Sequence, residues 1–174
     1  MMELDFDDSV ARGLLHYVRR VSRALDLHGE CSYVQTDEPF SAYIALDGRL
    51  GQFPNRDVAL LWEEGRGWSA AVESGGGEEL LVVARLGADV LPPPAAVAAW
   101  ARALFEPRHD LRPVTDPDER PSTVDGLGQR LAAYVTPVLT PTPAIGLPAV
   151  ERAGHRPYEW VYSEVPTRSR WRRT

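Results

Sequence analysis

The sequence predicts an α+β fold: an antiparallel sheet of four to six strands flanked by an N-terminal helix and a helix after the sheet, with a C-terminal helix-plus-strand extension. Three observations carry this expectation. Apolar residues recur every three to four positions over residues 8–27, and the period changes to two over residues 31–86. The breaks within that second region are too short for parallel crossovers. After Gly87 the helical period returns. Helix, strands, helix is the order of an α+β domain with its helices on one sheet face.

In the first helix, Val10, Leu14, Val18, Val21 and Leu25 follow at spacings of four, four, three and four, which is one face. Asp7, Asp8 or Ser9 can cap its start, and His28-Gly29 supplies a stop, with Gly29 free to turn left-handed. Residues 31–36, 40–46, 57–63, 68–73 and 79–86 read as strands. Asp47-Gly48 ends the second, and EGRG and SGGG separate the last three. Pro92 to Pro94 open the next helix, where a missing N–H costs nothing, and Val97, Trp100, Ala101 and Leu104 form its buried face.

Beyond it the chain changes character. Residues 1–106 read as the α+β domain, and residues 107–122 (PRHDLRPVTDPDERPS) as a proline-rich linker. Residues 123–174 form an extension packing on the domain or on a second subunit, with an arginine-rich tail. A third helix is expected over 123–136, facing inward with Val124, Leu127, Leu131, Tyr134 and Val135; its LGQRLAAYV loosely echoes VARGLLHYV at 10–18. TPTPAIGLP is connector. PYEWVYSEV is a last strand, alternating Tyr158, Trp160 and Tyr162 with Glu159, Val161 and Ser163.

Trp62 and Trp68 flank a glycine-bearing break, and register decides where they point. A three-residue loop over 65–67, with left-handed Gly67, pairs Trp62 with Ala70 and Leu60 with Val72. Val58, Leu60, Trp62, Trp68, Ala70 and Val72 then share one face, with the tryptophans diagonal. They roof the core beneath the helices rather than form an exposed platform. The reverse face carries Tyr43, Ala59, Leu61, Ala71, Leu81 and Val83, a patch of several hundred Å2 that needs cover. Residues 123–165 can fold back to supply it.

Composition narrows the function. The 174 residues suit one sizeable core. Residues 1–91 carry 16 acids against 8 arginines, while residues 92–174 carry 9 against 11. An acidic body repels phosphate backbones, so nucleic acid can be attracted only by the tail. No apolar run approaches the roughly 18 residues of a membrane span, and the acidic start lacks a secretory n-region, so a cytoplasmic protein is expected. The lone Cys31 excludes an intramolecular disulfide and a multi-cysteine metal site.

No catalytic constellation emerges. His16, His28, His109 and His155 lack metal-ligand spacing, and His28 beside Cys31 has no orienting third group. Glu63-Glu64 and Glu78-Glu79 are adjacent on strands and point to opposite faces. GRLGQF and SGGGEE precede neither a helix nor a P-loop lysine. No cofactor, metal or enzymatic activity is expected.

The stretches YIALDGRL, RDVALLWEEGRGWSAAVES and LLVVARLGADVLPPPAAVA resemble an uncharacterised actinobacterial family known only as a domain of unknown function. The resemblance covers roughly residues 10–105 and implies no activity, substrate or catalytic residue.

The expected function is therefore a non-catalytic protein-interaction or regulatory module, binding a protein partner or itself. Tyr43, Leu61, Leu81, Val83, Tyr158, Trp160 and Tyr162 are the candidate interaction residues. The alternative is a nucleic-acid-associated accessory protein in which Arg168, Arg170, Arg172 and Arg173 contact phosphates and Trp171 stacks on a base. A small-molecule binder or enzyme with a pocket between helices and sheet is the remaining class.

Overall fold

A computed structural model describes residues 2–75, 79–87, 89–107, 111, 114, 126–135, 160–165 and 168–173, with residues 2–8 and the last two ranges described as backbone. Helix α1 (Met2–Ala24) begins well before residue 8. Its first turns hold Glu3, Asp5, Asp7 and Asp8, which suit the positive end of the helix dipole, so the chain needs no stop at residues 7–9. The far end also departs from expectation. Gly29 is left-handed as expected, at φ 88°, but the left-handed position that ends the helix is Asp26, with φ 59°. Leu27 N–H donates to Ser22 O and Asp26 N–H to Arg23 O, both at 3.0 Å, the pattern of a Schellman cap. Arg102 then reaches across to the Ala24 carbonyl at 2.5 Å and the Asp26 carboxylate at 3.0 Å.

Strands β1 (Ser32–Gln35), β2 (Ser41–Leu46), β3 (Val58–Glu63), β4 (Gly67–Glu73) and β5 (Leu80–Arg85) form an antiparallel meander in chain order. Helix α2 (Pro94–Ala103) follows, then α3 (Leu127–Ala132), and β6 (Trp160–Val165) pairs with β7 (Arg168–Arg173) in a separate ribbon. The α+β fold and the helix–strands–helix order are as the sequence predicts. One core lies between helices and sheet. Val10, Leu14, Val18 and Val21 of α1 meet Ile44, Leu60, Trp62, Trp68 and Val72, with Val97 and Ala101 of α2 closing one side.

The β3–β4 register differs from expectation. Trp62 pairs directly with Trp68 and Glu63 with Gly67, so the loop is residues 64–66. Arg66 N–H donates to Glu63 O at 3.0 Å, and Gly67 is left-handed at φ 70° as expected. The slip is an even number of residues, so each side chain keeps its predicted face. A Cβ on Gly67 would lie 3.1 Å from the Asp89 carbonyl, so the hairpin end presses on the loop after β5.

A bulge between Ala70 and Ala71 changes β5 more deeply. Ala71 pairs with Val82 and Val72 with Leu81, while Ala70 pairs with Ala84. One extra residue reverses parity on part of the strand. Leu81 and Val83, expected on the reverse face, therefore belong to the helix-side core. Leu80 and Val82 join Tyr43, Leu61 and Ala71 on the reverse face instead.

That face is not bare. Leu61, Ala71 and Leu80 are buried within the single chain. At its border Val114, in the expected linker, donates its N–H to Val82 O at 2.8 Å along the edge of β5, and β7 runs close to β5. Helix α3 does not supply the cover: Leu131 is buried in the helix-side core, and its carbonyl sits where a Cβ on Gly13 would go. The connector at 140–148 and the expected start of the third helix at 123–125 lie outside the described residues. The arginine-rich end, expected as a tail, is strand β7.

Candidate functional site

The tryptophans belong to a buried polar network. Trp62 Nε1–H donates to the Val90 carbonyl at 2.7 Å. Trp68 Nε1–H donates to the Tyr17 hydroxyl at 2.9 Å, which in turn donates to the Pro92 carbonyl at 2.6 Å. Burial pushes the Tyr17 pKa above the usual phenol range, so it stays a neutral donor. Arg130 grips Asp89 with two hydrogen bonds, 2.9 and 2.6 Å, and donates to the Leu91 carbonyl at 2.8 Å. Tyr134 meets Tyr17 edge-on, with ring centroids 5.0 Å apart. The Trp62, Trp68 and Tyr17 donors each have a partner, so the network holds residues 89–92 and α3 in place rather than receiving a ligand. Tyr17 was absent from the sequence reading, although its spacing from Leu14 and Val21 is helical.

Of the expected interaction residues, the four on the five-stranded sheet do not share one face. Tyr43 is half-buried and Leu61 buried on the reverse face, while Leu81 and Val83 face the core. Tyr158 lies outside the described residues, as do His109 and His155. In the ribbon, Tyr162 pairs with Trp171 and Trp160 with Arg173. Arg168, Arg170 and Arg172 fall on the opposite face, paired with Val165, Ser163 and Val161.

Open structure lies elsewhere, between the second half of α1 and β1. A cleft of about 910 Å3 is lined there by Leu15, Arg19, Ser22, Arg23, Leu27, Ser32 and Tyr33. Tyr33 is the exposed large hydrophobic among the described residues, at 36%. Ser22, at 7% exposure, presents an Oγ with no standard hydrogen bond; the neighbouring Cys31 thiol is only a weak partner. Burial raises the Cys31 pKa, leaving a thiol at neutral pH. His28 is exposed, with Nδ1 2.8 Å from the Asp26 carbonyl, and does not act on Cys31.

Strand β1 is also an edge of the sheet. Ala45 N–H donates to the Cys31 carbonyl at 2.8 Å, so Cys31, Tyr33 and Gln35 bond inward to β2. Ser32 and Val34 then aim their N–H and C=O groups outward, and among the described residues nothing pairs with them. The other edge, β5, has Val114 on it.

Among the described residues no group of His, Cys, Asp and Glu can hold a metal ion, and no helix is long and apolar enough to cross a membrane. No curated protein and no solved structure matches the chain. Residues 17–103 match the family of unknown function DUF6292, from Tyr17 on α1, through the whole five-stranded sheet, to the end of α2. The expected resemblance over residues 10–105 coincides with this span, and the chain belongs to that family.

Proposed function

We propose that the protein is a binding module that accepts an extended segment of a partner protein as an added strand on β1. The observation that carries this is the backbone of Ser32 and Val34 beside the α1–β1 cleft, unpaired among the described residues. Strand addition uses main-chain hydrogen bonds for affinity and neighbouring pockets for alternate side chains. Here Ser32 and Val34 offer the main-chain groups, and the cleft offers the pocket. Natural sheets usually blunt their edges, and a ready edge next to a cleft is a docking feature. The test is Val34→Pro. Its N–H points away from β2, so proline removes an outward donor while leaving the inward ladder intact. Partner binding should be lost while the fold persists at a lower melting temperature, because Val34 also packs against the core; undiminished binding refutes strand addition.

A second reading rests on the β6–β7 ribbon. Its register gathers Arg168, Arg170 and Arg172 on one face, a spacing suited to successive phosphates. Three such contacts imply a log–log salt slope of roughly −2 to −3, since Arg173, paired with Trp160, falls on the other face. Absence of DNA and RNA binding at low salt excludes it.

A further inference from the structure

Arg12, His16, Arg19 and Arg23 recur on α1 at spacings of four, three and four, and all four are exposed. They form a basic stripe on a chain whose first 91 residues carry net charge −8. Its C-terminal half, Arg19 and Arg23, forms the α1 wall of the cleft beside β1, while the exposed acids Asp26 and Glu30 line the loop between the two elements. Among the described residues neither arginine forms an ion pair. The nearby Asp26 is already engaged by Arg102. Ser22 adds a buried hydroxyl to the same wall with no standard hydrogen bond.

We propose that the segment docking on β1 is acidic, with carboxylates at alternate positions facing Arg19 and Arg23 of α1. This rests on the strand-addition reading above and specifies its partner. The dimensions agree. Arg19 and Arg23 are one turn apart, about 6 Å along the helix. Alternate residues of a strand are about 6.6–6.8 Å apart, so two carboxylates of a strand laid along α1 meet two guanidinium groups. The acidic body does not prevent this, because physiological salt screens charges beyond about 8 Å.

A second copy of the chain is a poorer occupant. Antiparallel β1–β1 pairing about a twofold axis would set both α1 helices on the same sheet face. Arg19 and Arg23 would then oppose their own counterparts, and like charges across an interface are repulsive.

The experiment is selection of a displayed random peptide library, about ten residues long to cover the four-residue edge with margin, against the full chain. Wild type should enrich peptides with Asp or Glu at alternate positions. Arg19→Glu with Arg23→Glu, both on the exposed stripe, should enrich Lys or Arg instead. It should also weaken a wild-type-selected acidic peptide by about tenfold or more, as expected for two partly exposed charge pairs. Val34→Pro should enrich nothing, and Ser32→Pro replaces it if that variant fails to fold. Neutral peptides indifferent to charge reversal would overturn the acidic partner while leaving strand addition standing. Peptides that bind equally well after either proline substitution, no enrichment by wild type, or a β1-mediated dimer in sedimentation would overturn both.

Discussion

Trp62 and Trp68 stand opposite each other across the β3–β4 hairpin, yet their indole N–H groups reach different parts of the chain, the Val90 carbonyl and the Tyr17 hydroxyl. The hairpin thereby ties α1 to the loop after β5. Trp62→Ala should cost about 3–5 kcal/mol, as a large-to-small core change, while Trp68→Phe should cost about 1–3 kcal/mol. Denaturant titration measures both. An unchanged midpoint for Trp62→Ala would place that indole outside the core.

Gly13 is buried on α1 directly beneath the Leu131 carbonyl of α3. In an isolated helix Gly→Ala is stabilising, but here the added methyl collides with backbone, which cannot swing aside. Gly13→Ala should destabilise by about 1–3 kcal/mol, the usual cost of overpacking. Amide exchange should quicken selectively in residues 126–135. A gain in stability would mean that α3 does not dock there.

The Arg130 hydrogen bonds hold the Asp89 carboxyl below its ordinary value, against a smaller opposing effect of burial. A carboxylate with a lowered folded pKa stabilises above its unfolded value, near 3.8, and that contribution is lost as pH falls further. Both side chains are about one-third exposed, at 32% and 31%, so solvent screening limits the pair to about 1 kcal/mol. Arg130→Ala should lower stability at pH 7 by about that much and flatten the acid-side dependence below pH 4. A variant with the wild-type acid profile would remove the pair from the account.

Burial keeps the Cys31 thiol protonated at neutral pH. Alkylation by iodoacetamide at pH 7 should run slower than for a free cysteine, with its midpoint displaced upward. A fast, low-pH profile would restore an activating partner near the thiol.

Truncation after Glu106 should expose apolar surface. It removes α3 with its buried Leu131, and the Val114 contact on β5. The shortened chain should bind a hydrophobic dye and melt at lower temperature. A soluble, dye-silent and equally stable product would make the C-terminal third an appendage.

Local pattern sufficed for α1, the five sheet strands and α2, and for the faces of α1, β3 and β4. Period 3.6 in α1 and period 2 in β3 and β4 are properties of a few consecutive residues. Face assignment on β3 and β4 tolerates a register slip of two, which is why it survived a misplaced loop. Leu81 and Val83 were misplaced because a single bulge reverses parity, and no local pattern announces it. The arginines of β7 masked its alternation by their charge, so it read as a tail.

The sequence by itself thus determined the α+β class, the buried stripe of α1 and the burial of the tryptophans. Tertiary structure alone decided what joins them. Tyr17 and Pro92 lie 75 positions apart, and Trp68 and Tyr17 51. Whether β1 is an open edge depends on where α1, β5 and Val114 come to rest. Periodicity reports on neighbours in the chain, whereas hydrogen-bond partners and free edges are set by segments brought together only on folding.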